Sequence, residues 1–354
     1  MSQQAPFPWP AQSATGVGSM PGTDPQEVSA VIFGELPNLP FLPELPDRGP
    51  GADLVGRTAA LLVDMPVETT PTGWRLAERR GRDLGRAAGL MEADLDALEA
   101  AAAGYTGTFK FQLCGPWTLA ASLALPHSIE PALSDEGAVA DLSASLAEGA
   151  AAHAADVRRR VPGARLVVQV DEPSLPGVLA GSVPTASGLR RVPAVDAQDA
   201  AARLREVAAA AGAPVMIHCC ARDVPWSVVA SAGAAAVSFD LALVGRADED
   251  ALGEIAEAGL GIAAGAVPSL HDHAPPAAGS PADARRGDGA ERAAAAVIAL
   301  WRRIGLSPGA VAEQVVITPA CGLAAASPAR ARAVLAQCQE AARLLPEMIE
   351  EGAR

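Results

Sequence analysis

Short apolar runs that end in small or polar residues recur along the chain, and they predict buried strands. Ala-rich stretches with helical spacing lie between most of them. The predicted strands are 16–21, 40–45, 108–116, 165–173, 214–220, 234–240, 260–268 and 314–322. The predicted helices include 53–65, 86–103, 135–160, 196–211 and 328–350. Strands that alternate with helices in this way predict an α/β fold, a single (β/α)8 TIM barrel, with a doubly wound open sheet as the alternative.

The pattern also predicts how the chain is divided. Residues 1–14 carry no strand or helix signal and are expected to form a loose N-terminal arm. Residues 15–354 are expected to form one catalytic barrel. Within it, residues 271–292 are rich in Pro, Gly and Ala, which predicts a flexible loop.

Composition narrows the classes of function. Half of the 354 residues are hydrophobic and the formal net charge is −14, which suits a large core and disfavours nucleic-acid binding. The first residues resemble no signal peptide, and no apolar run reaches the roughly 18 residues of a membrane span. We therefore expect a cytoplasmic protein with no membrane partner. Five cysteines, an odd number, favour reduced thiols that are free to bind metal.

Metal-binding residue types follow three of the late predicted strands. They are His218-Cys219-Cys220, Asp240 and Cys321. Because barrels carry their chemistry at the C-terminal ends of strands, these side chains are expected to converge. Thiolate, imidazole and carboxylate ligands fit Zn²⁺. Cys220 shares a strand face with His218, so we favour it over Cys219, while Asp240 has the alternative of capping a helix.

Acidic and glycine-rich segments end other predicted strands. Asp171 and Glu172 precede a proline after the fourth strand, where a carboxylate can hold an ammonium group or move protons. The segment Gly16-Val17-Gly18-Ser19 ends the first strand, and its backbone can approach a ligand carboxylate. Glu44 follows the second strand as a further acceptor or as a solvated loop residue.

Taken together, these segments resemble the C-terminal catalytic domain of cobalamin-independent methionine synthase, in the barrel superfamily that also holds uroporphyrinogen decarboxylase. The resemblance runs from about residue 14 to the end of the chain. The matching motifs are Val17-Gly18-Ser19, Cys114-Gly115-Pro116 with Thr118, Asp171-Glu172-Pro173, His218-x-Cys220 and Cys321-Gly322-Leu323.

The resemblance implies a zinc-dependent methyltransferase that converts homocysteine to methionine. It implies Zn²⁺ held by His218, Cys220, Asp240 and Cys321, with Asp240 one methylene shorter than the family's Glu. It implies that Asp171, the expected catalytic residue, and Glu44 meet the amino group of homocysteine. Val17, Gly18 and Ser19 would meet its carboxylate.

Several functions stay open at this point. The methyl donor is 5-methyltetrahydrofolate by resemblance, or alternatively a methylcorrinoid, carried by a corrinoid protein or free. A lyase like uroporphyrinogen decarboxylase is a second possibility, for which cationic residues rather than thiols are expected. A non-catalytic zinc-binding barrel is the third.

Overall fold

The computed structural model describes residues 7–269 and 282–352. Its strands are β1 (Val67–Thr70), β2 (Gly73–Leu76), β3 (Thr108–Cys114), β4 (Arg165–Asp171), β5 (Val215–Cys219), β6 (Ala236–Asp240), β7 (Gly261–Val267) and β8 (Val315–Pro319).

The helices alternate with these strands. They are α1 (Pro25–Glu35), α2 (Leu54–Ala59), α3 (Arg82–Ala101), α4 (Pro116–Ser122), α5 (Glu136–Arg160), α6 (Leu175–Leu179), α7 (Ala197–Ala210), α8 (Trp226–Ser231), α9 (Arg246–Glu257), α10 (Ala282–Arg303), α11 (Val311–Gln314) and α12 (Pro328–Gly352). Short 3₁₀ turns cover Pro46–Arg48, Ala132–Ser134, Leu241–Leu243 and Pro308–Ala310. Asp24, Asp53, Asp135 and Asp196 cap helices α1, α2, α5 and α7 through side-chain oxygens.

Six strands form one parallel sheet in the order β3-β4-β5-β6-β7-β8. The first two predicted strands are not regular strands in the described part of the chain. Isolated parallel bridges take their place and join Ala14 to Ile317, Ser19 to Glu44, and Phe41 to Lys110. The α/β prediction is confirmed, whereas the predicted eight-stranded barrel is a six-stranded parallel sheet whose two edges meet bridged segments.

A two-stranded antiparallel hairpin, β1–β2, was not anticipated from the sequence. It lies between α2 and α3, in a stretch with the polar sequence VETTPTGW that lacks a long apolar run. Its exposed turn at Thr70–Gly73 is closed by the Thr70 hydroxyl, which donates to the Gly73 carbonyl. The hairpin adds a small edge outside the main sheet.

Side chains on the two faces of the sheet form two separate apolar clusters. The larger one packs the outer face of the strands against the helices. The smaller one lies inside the sheet, at its N-terminal end, and comprises Trp9, Leu39, Val167, Met216, Ala236, Ala263 and Val316. This inner layer closes one end of the sheet, so the opposite end is left for polar groups.

The N-terminal segment is packed rather than loose from residue 7 onward. Trp9 is 2% exposed, and its indole nitrogen donates to the Glu313 carbonyl at 3.2 Å. Ser13 and Ala14 are also buried. The predicted arm over 1–14 therefore differs from the structure, because its one large aromatic plugs the end of the sheet; residues 1–6 lie outside the described part.

The predicted flexible loop over 271–292 also differs in part. Residues 270–281 lie outside the described part of the chain. Helix α10 begins at Ala282, so the second half of the predicted loop is helical. The glycines and alanines at the start of this helix led the sequence pattern to predict a loop there. No helix among the described residues is both long and apolar enough to cross a membrane.

We predict that Trp9→Ala destabilises the fold by about 3–5 kcal/mol, because it removes a buried indole and leaves a cavity in the inner layer. Urea unfolding followed by circular dichroism measures this loss. The control is Leu189→Ala, at a side chain that is 90% exposed, with an expected effect below about 0.5 kcal/mol. Equal stability of the Trp9 variant and wild type would contradict the packed N-terminal segment.

Candidate active site

The inner face of the sheet changes from apolar to polar along each strand. Two residues beyond the apolar layer, the same face carries Gln169, His218, Ser238 and Thr318, because side chains alternate with a period of two. One further step places Asp171 and Asp240 at the strand ends. The chemistry-bearing residues are thus gathered at the carboxyl ends of the strands.

Two cysteines from distant parts of the sequence meet at this end. The Sγ atoms of Cys220, after β5, and Cys321, after β8, are 3.2 Å apart. Hydrogen bonding from Cys220, aided by nearby His218, lowers the pKa of the Cys321 thiol, whereas the same contact raises the pKa of Cys220. The pair can therefore carry a thiolate at neutral pH.

The adjacent Cys219 stands apart from this pair. It is fully buried, and burial raises the pKa of its thiol to about 11. Cys114 and Cys338 are likewise buried free thiols. The alternation of faces along β5 thus separates a reactive position from a packing position.

His218 lies near the thiols, close enough to lower the pKa of Cys321. Its Nδ1 atom is 2.8 Å from the Ser238 hydroxyl on β6, which fixes the ring. Its Nε2 atom is buried and has no hydrogen-bond partner among the residues described. A buried nitrogen without a partner is costly, so this atom is suited to a ligand.

Asp240 ends β6 next to these groups. One of its carboxylate oxygens accepts from the Ala242 amide at 2.9 Å and caps the 3₁₀ turn that follows. Burial raises its pKa, a nearby Cys321 thiolate adds to this effect, and His218 opposes it. Asp240 therefore performs the capping role through one of its two carboxylate oxygens.

Backbone contacts hold Cys321 in place. The Ser269 hydroxyl, after β7, accepts from the Cys321 amide and donates to the Cys321 carbonyl, both at 2.8 Å. The next residue is Gly322, at which a Cβ atom would overlap the Ser19 hydroxyl. This glycine is thus required by close approach to the Ser19 segment.

Asp171 is held by a neighbouring amide. Gln169 donates to its Oδ1 atom at 2.6 Å. Burial raises the pKa of Asp171, while His218 and Lys110 lower it. Asp171 is 4% exposed and lies within the polar layer of the inner face.

Glu44 lies on the same side of the site. Gln112 donates to its Oε1 atom at 3.2 Å, and the side chain is 4% exposed. Burial raises the pKa of Glu44 to about 7, with Arg57 opposing and Asp171 adding to the shift. The sequence left two alternatives for Glu44, a hydrogen-bond acceptor in the site or a solvated loop residue. In the structure, Glu44 is a buried acceptor.

The glycine-containing segment lies directly beside these acids. The Gly18 carbonyl accepts from the Glu44 amide at 3.1 Å, and a Cβ on Gly18 would press on Gln112 at 2.9 Å. The Ser19 carbonyl accepts from the Leu323 amide. Val17 directs its carbonyl into the sheet, where Gln169 donates to it at 2.7 Å.

Glu172 has a different task from its neighbour Asp171. It faces outward and accepts from the Trp117 amide at 2.9 Å, and from the Thr118 amide and hydroxyl at 2.8 and 2.7 Å. These groups form the N-terminal turn of α4, so Glu172 satisfies unpaired helix donors. Gly115 is required beside it, because a Cβ there would overlap the carboxylate.

Several polar residues of the site were not anticipated from the sequence. They are Lys110, Gln112, Gln169, Ser238 and Ser269. The first four are polar residues inside otherwise apolar strands, at positions that alternate with apolar ones. That alternation was available in the sequence as a signal of an inward polar face. Ser269 follows a strand, and nothing local marks its contact with Cys321.

The donor set fits a zinc ion chemically, although its members are not assembled around one. No group of three or more His, Cys, Asp or Glu side chains is close enough to hold a metal within residues 7–269 and 282–352. The two sulfurs, at 3.2 Å, are closer than the about 3.8 Å expected for thiolates in a zinc tetrahedron. His218, whose Nε2 atom is unpartnered, is nevertheless near Cys321, and two thiols with an imidazole are ligands that zinc prefers.

Fold and site together define a class: an α/β protein with a thiol–imidazole–carboxylate cluster at the carboxyl end of a parallel sheet. The family model described as "Cobalamin-independent synthase, Catalytic domain" matches residues 131–344. Because the match covers more than half of the chain, the chain belongs to this family and is an enzyme of it. The resemblance seen in the sequence is thereby confirmed.

A solved structure supports the fold. The chain is similar to a B12-independent methionine synthase from Shewanella sp. W3-18-1, solved in complex with selenomethionine. The TM-score is 0.61 at 10% identity, over 96% of this chain and 99% of that chain. At this identity the likeness shows the fold alone. No curated protein sequence matches the chain significantly.

We predict that Glu172→Ala destabilises the protein by about 2–4 kcal/mol, because three buried donors of α4 lose their acceptor. Glu172→Gln retains one acceptor oxygen and is expected to cost less. Thermal and urea unfolding of both variants measure the effect. Unchanged stability in the Ala variant would show that the α4 contacts do not depend on this carboxylate.

Proposed function

We propose that the chain is a zinc-dependent methyltransferase that transfers a methyl group from 5-methyltetrahydrofolate to homocysteine and forms methionine. The observation that carries this proposal is the Cys220–Cys321 thiol pair beside the unpartnered Nε2 atom of His218. Family membership supports the reaction class.

His218, Cys220, Cys321 and Asp240 are the proposed zinc ligands. Zinc bound there would act as a Lewis acid that keeps a substrate thiol in its thiolate form. Ser238 holds the His218 ring through Nδ1 and leaves Nε2 unpartnered, and Ser269 fixes the Cys321 backbone. These contacts limit the rearrangement that ligand binding requires.

Asp171 and Glu44 are the proposed partners of the substrate ammonium. Both are buried, and each accepts a hydrogen bond from a glutamine amide. A cation that reaches them would offset the cost of burying two carboxylates. The backbone at Gly18 and the Ser19 hydroxyl, which adjoin Glu44, are proposed to meet the substrate carboxylate.

The methyl transfer balances between the two substrates. The S–CH₃ bond forms as the bond between N5 and the methyl carbon breaks, and the electron pair of that bond stays on N5. The proton that N5 takes is balanced by the proton that the homocysteine thiol loses. The residues of this chain contribute by orienting the sulfur and holding both charged groups of the amino acid, which converts a bimolecular encounter into an oriented one.

The alternatives are less well supported. A methylcorrinoid donor gains no support, because the family is described as cobalamin-independent. A lyase like uroporphyrinogen decarboxylase is expected to have cationic residues rather than thiols in its site. The paired thiols of this site therefore do not favour a lyase. A non-catalytic zinc barrel leaves the buried Asp171 and Glu44 without a task.

We predict that Cys220→Ala and Cys321→Ala each lose zinc when dialysed against a mild chelator, because each removes one of two thiolate ligands. Wild type is expected to keep one equivalent per chain. The matched control is Cys219→Ala, which removes the neighbouring buried thiol and should keep zinc. Elemental analysis measures the zinc content. A full equivalent of zinc in both the Cys220 and the Cys321 variant would contradict the proposed metal centre.

We also predict a pH dependence for methionine binding. The pKa of Glu44 is raised to about 7, so its carboxyl group becomes protonated below that pH. A protonated carboxyl group has no negative charge with which to attract the ammonium group of methionine. The charged groups that face it are Arg57 from α2, Lys110 from β3 and Asp171 from β4. Methionine affinity should therefore rise as the pH increases from 6 to 8.

Glu44→Gln is the matched variant for this dependence. It is expected to bind methionine more weakly at pH 8 and with little change between pH 6 and 8. Methionine is the suitable ligand because its thioether does not titrate. Calorimetric titration measures the affinities, and an identical pH profile in wild type and variant would exclude Glu44 as an ammonium partner.

A further inference from the structure

A single buried ammonium group lies beneath the two acids of the site. Lys110 is the only lysine of the sequence, it points inward from β3, and it is 0% exposed. Its Nζ atom donates to Gln169 Oε1 at 2.8 Å and to the Val17 carbonyl at 3.1 Å, and it is 3.5 Å from Gln112 Oε1. The Phe41 ring lies 5.3 Å away.

The ammonium fixes which way the two glutamine amides point. An ammonium has only donors, so each amide turns its oxygen toward Lys110. The opposite end of each amide is its NH₂ group, which donates to a backbone carbonyl, Val17 for Gln169 at 2.7 Å and Leu42 for Gln112 at 2.8 Å, and also to a carboxylate. Gln169 donates to Asp171 at 2.6 Å, and Gln112 donates to Glu44 at 3.2 Å.

Without the cation, the oxygen of each amide would be buried without a donor, so the amide would be held on one side only. An amide that shifts carries its N–H away from the carboxylate that accepts from it. Lys110 thus holds the donors of both acids in place while it makes no hydrogen bond to either acid. Its own pKa is lowered only to about 8 by burial, since both carboxylates oppose the shift, so it remains charged at neutral pH.

We propose that Lys110 is a positioning residue that, through Gln169 and Gln112, sets the orientation of the two acids and thereby the selectivity of the site for an amino acid over a thiol without an amino group. This inference rests on the proposed function, in which Asp171 and Glu44 bind the ammonium of homocysteine. Lys110 and Gln169 also hold the Val17 carbonyl, which fixes the backbone before Gly18.

The experiment compares two thiols on the zinc-loaded full chain. Homocysteine and 4-mercaptobutanoate differ only in the amino group, and calorimetric titration gives the affinity ratio. In wild type, homocysteine is expected to bind more tightly. In Lys110→Met, this ratio should fall by about 10- to 100-fold, with affinity for 4-mercaptobutanoate and zinc content nearly unchanged.

Two further variants make the test decisive. Gln169→Glu keeps an acceptor for Lys110 but has no N–H for Asp171, so its ratio should also fall; it decides the question if Lys110→Met does not fold. Phe109→Leu lies on the same strand, is buried on the outer face against Phe33, and controls for general damage to β3. Its ratio should match wild type.

The outcomes separate this inference from the proposed function. Folded, zinc-containing Lys110→Met and Gln169→Glu proteins with the wild-type ratio would overturn the positioning role and leave the proposed function standing. A fall in affinity for both thiols alike would also overturn it, because general structural damage lowers both. A wild-type protein that does not distinguish the two thiols would remove the ammonium site and, with it, both claims.

Discussion

Polar side chains on the inner face of the sheet are removed from solvent, so a polar atom there is costly unless another protein group hydrogen-bonds to it. This constraint explains why Lys110, Gln112 and Gln169 form one connected network. The same network reaches Asp171 and Glu44 and fixes their donors. The apolar layer around Trp9 closes the opposite end, so the polar network has only one face toward which it can open.

Adjacent residues with similar chemistry have different roles because successive side chains along a strand point to opposite faces of the sheet. Asp171 points into the site, while Glu172 caps α4. Cys220 meets Cys321, while Cys219 is fully buried. In both pairs the sequence offers two equivalent side chains, and the period of two decides which one is available for chemistry.

Much of this arrangement could be predicted from the sequence. Long apolar runs predict strands β3 to β8. His218, Cys220 and Cys321 could be grouped from the sequence because parallel strands end at one edge of the sheet. The segments at 16–21 and 40–45 were harder, since their prolines and glycines interrupt regular pairing and leave only isolated bridges. The buried Trp9 and the Ser269 contact depend on packing between distant segments, which no local pattern encodes.

The measurement that tests the central claim most directly is methionine formation from homocysteine by the zinc-loaded protein, with methyl-labelled 5-methyltetrahydrofolate and methylcobalamin supplied in separate reactions. The account predicts labelled methionine from the folate donor and none when zinc is removed. Label transfer from methylcobalamin alone would contradict the proposed donor. No transfer from either donor, in a protein that binds one equivalent of zinc, would contradict the assignment of this site to thiol methylation.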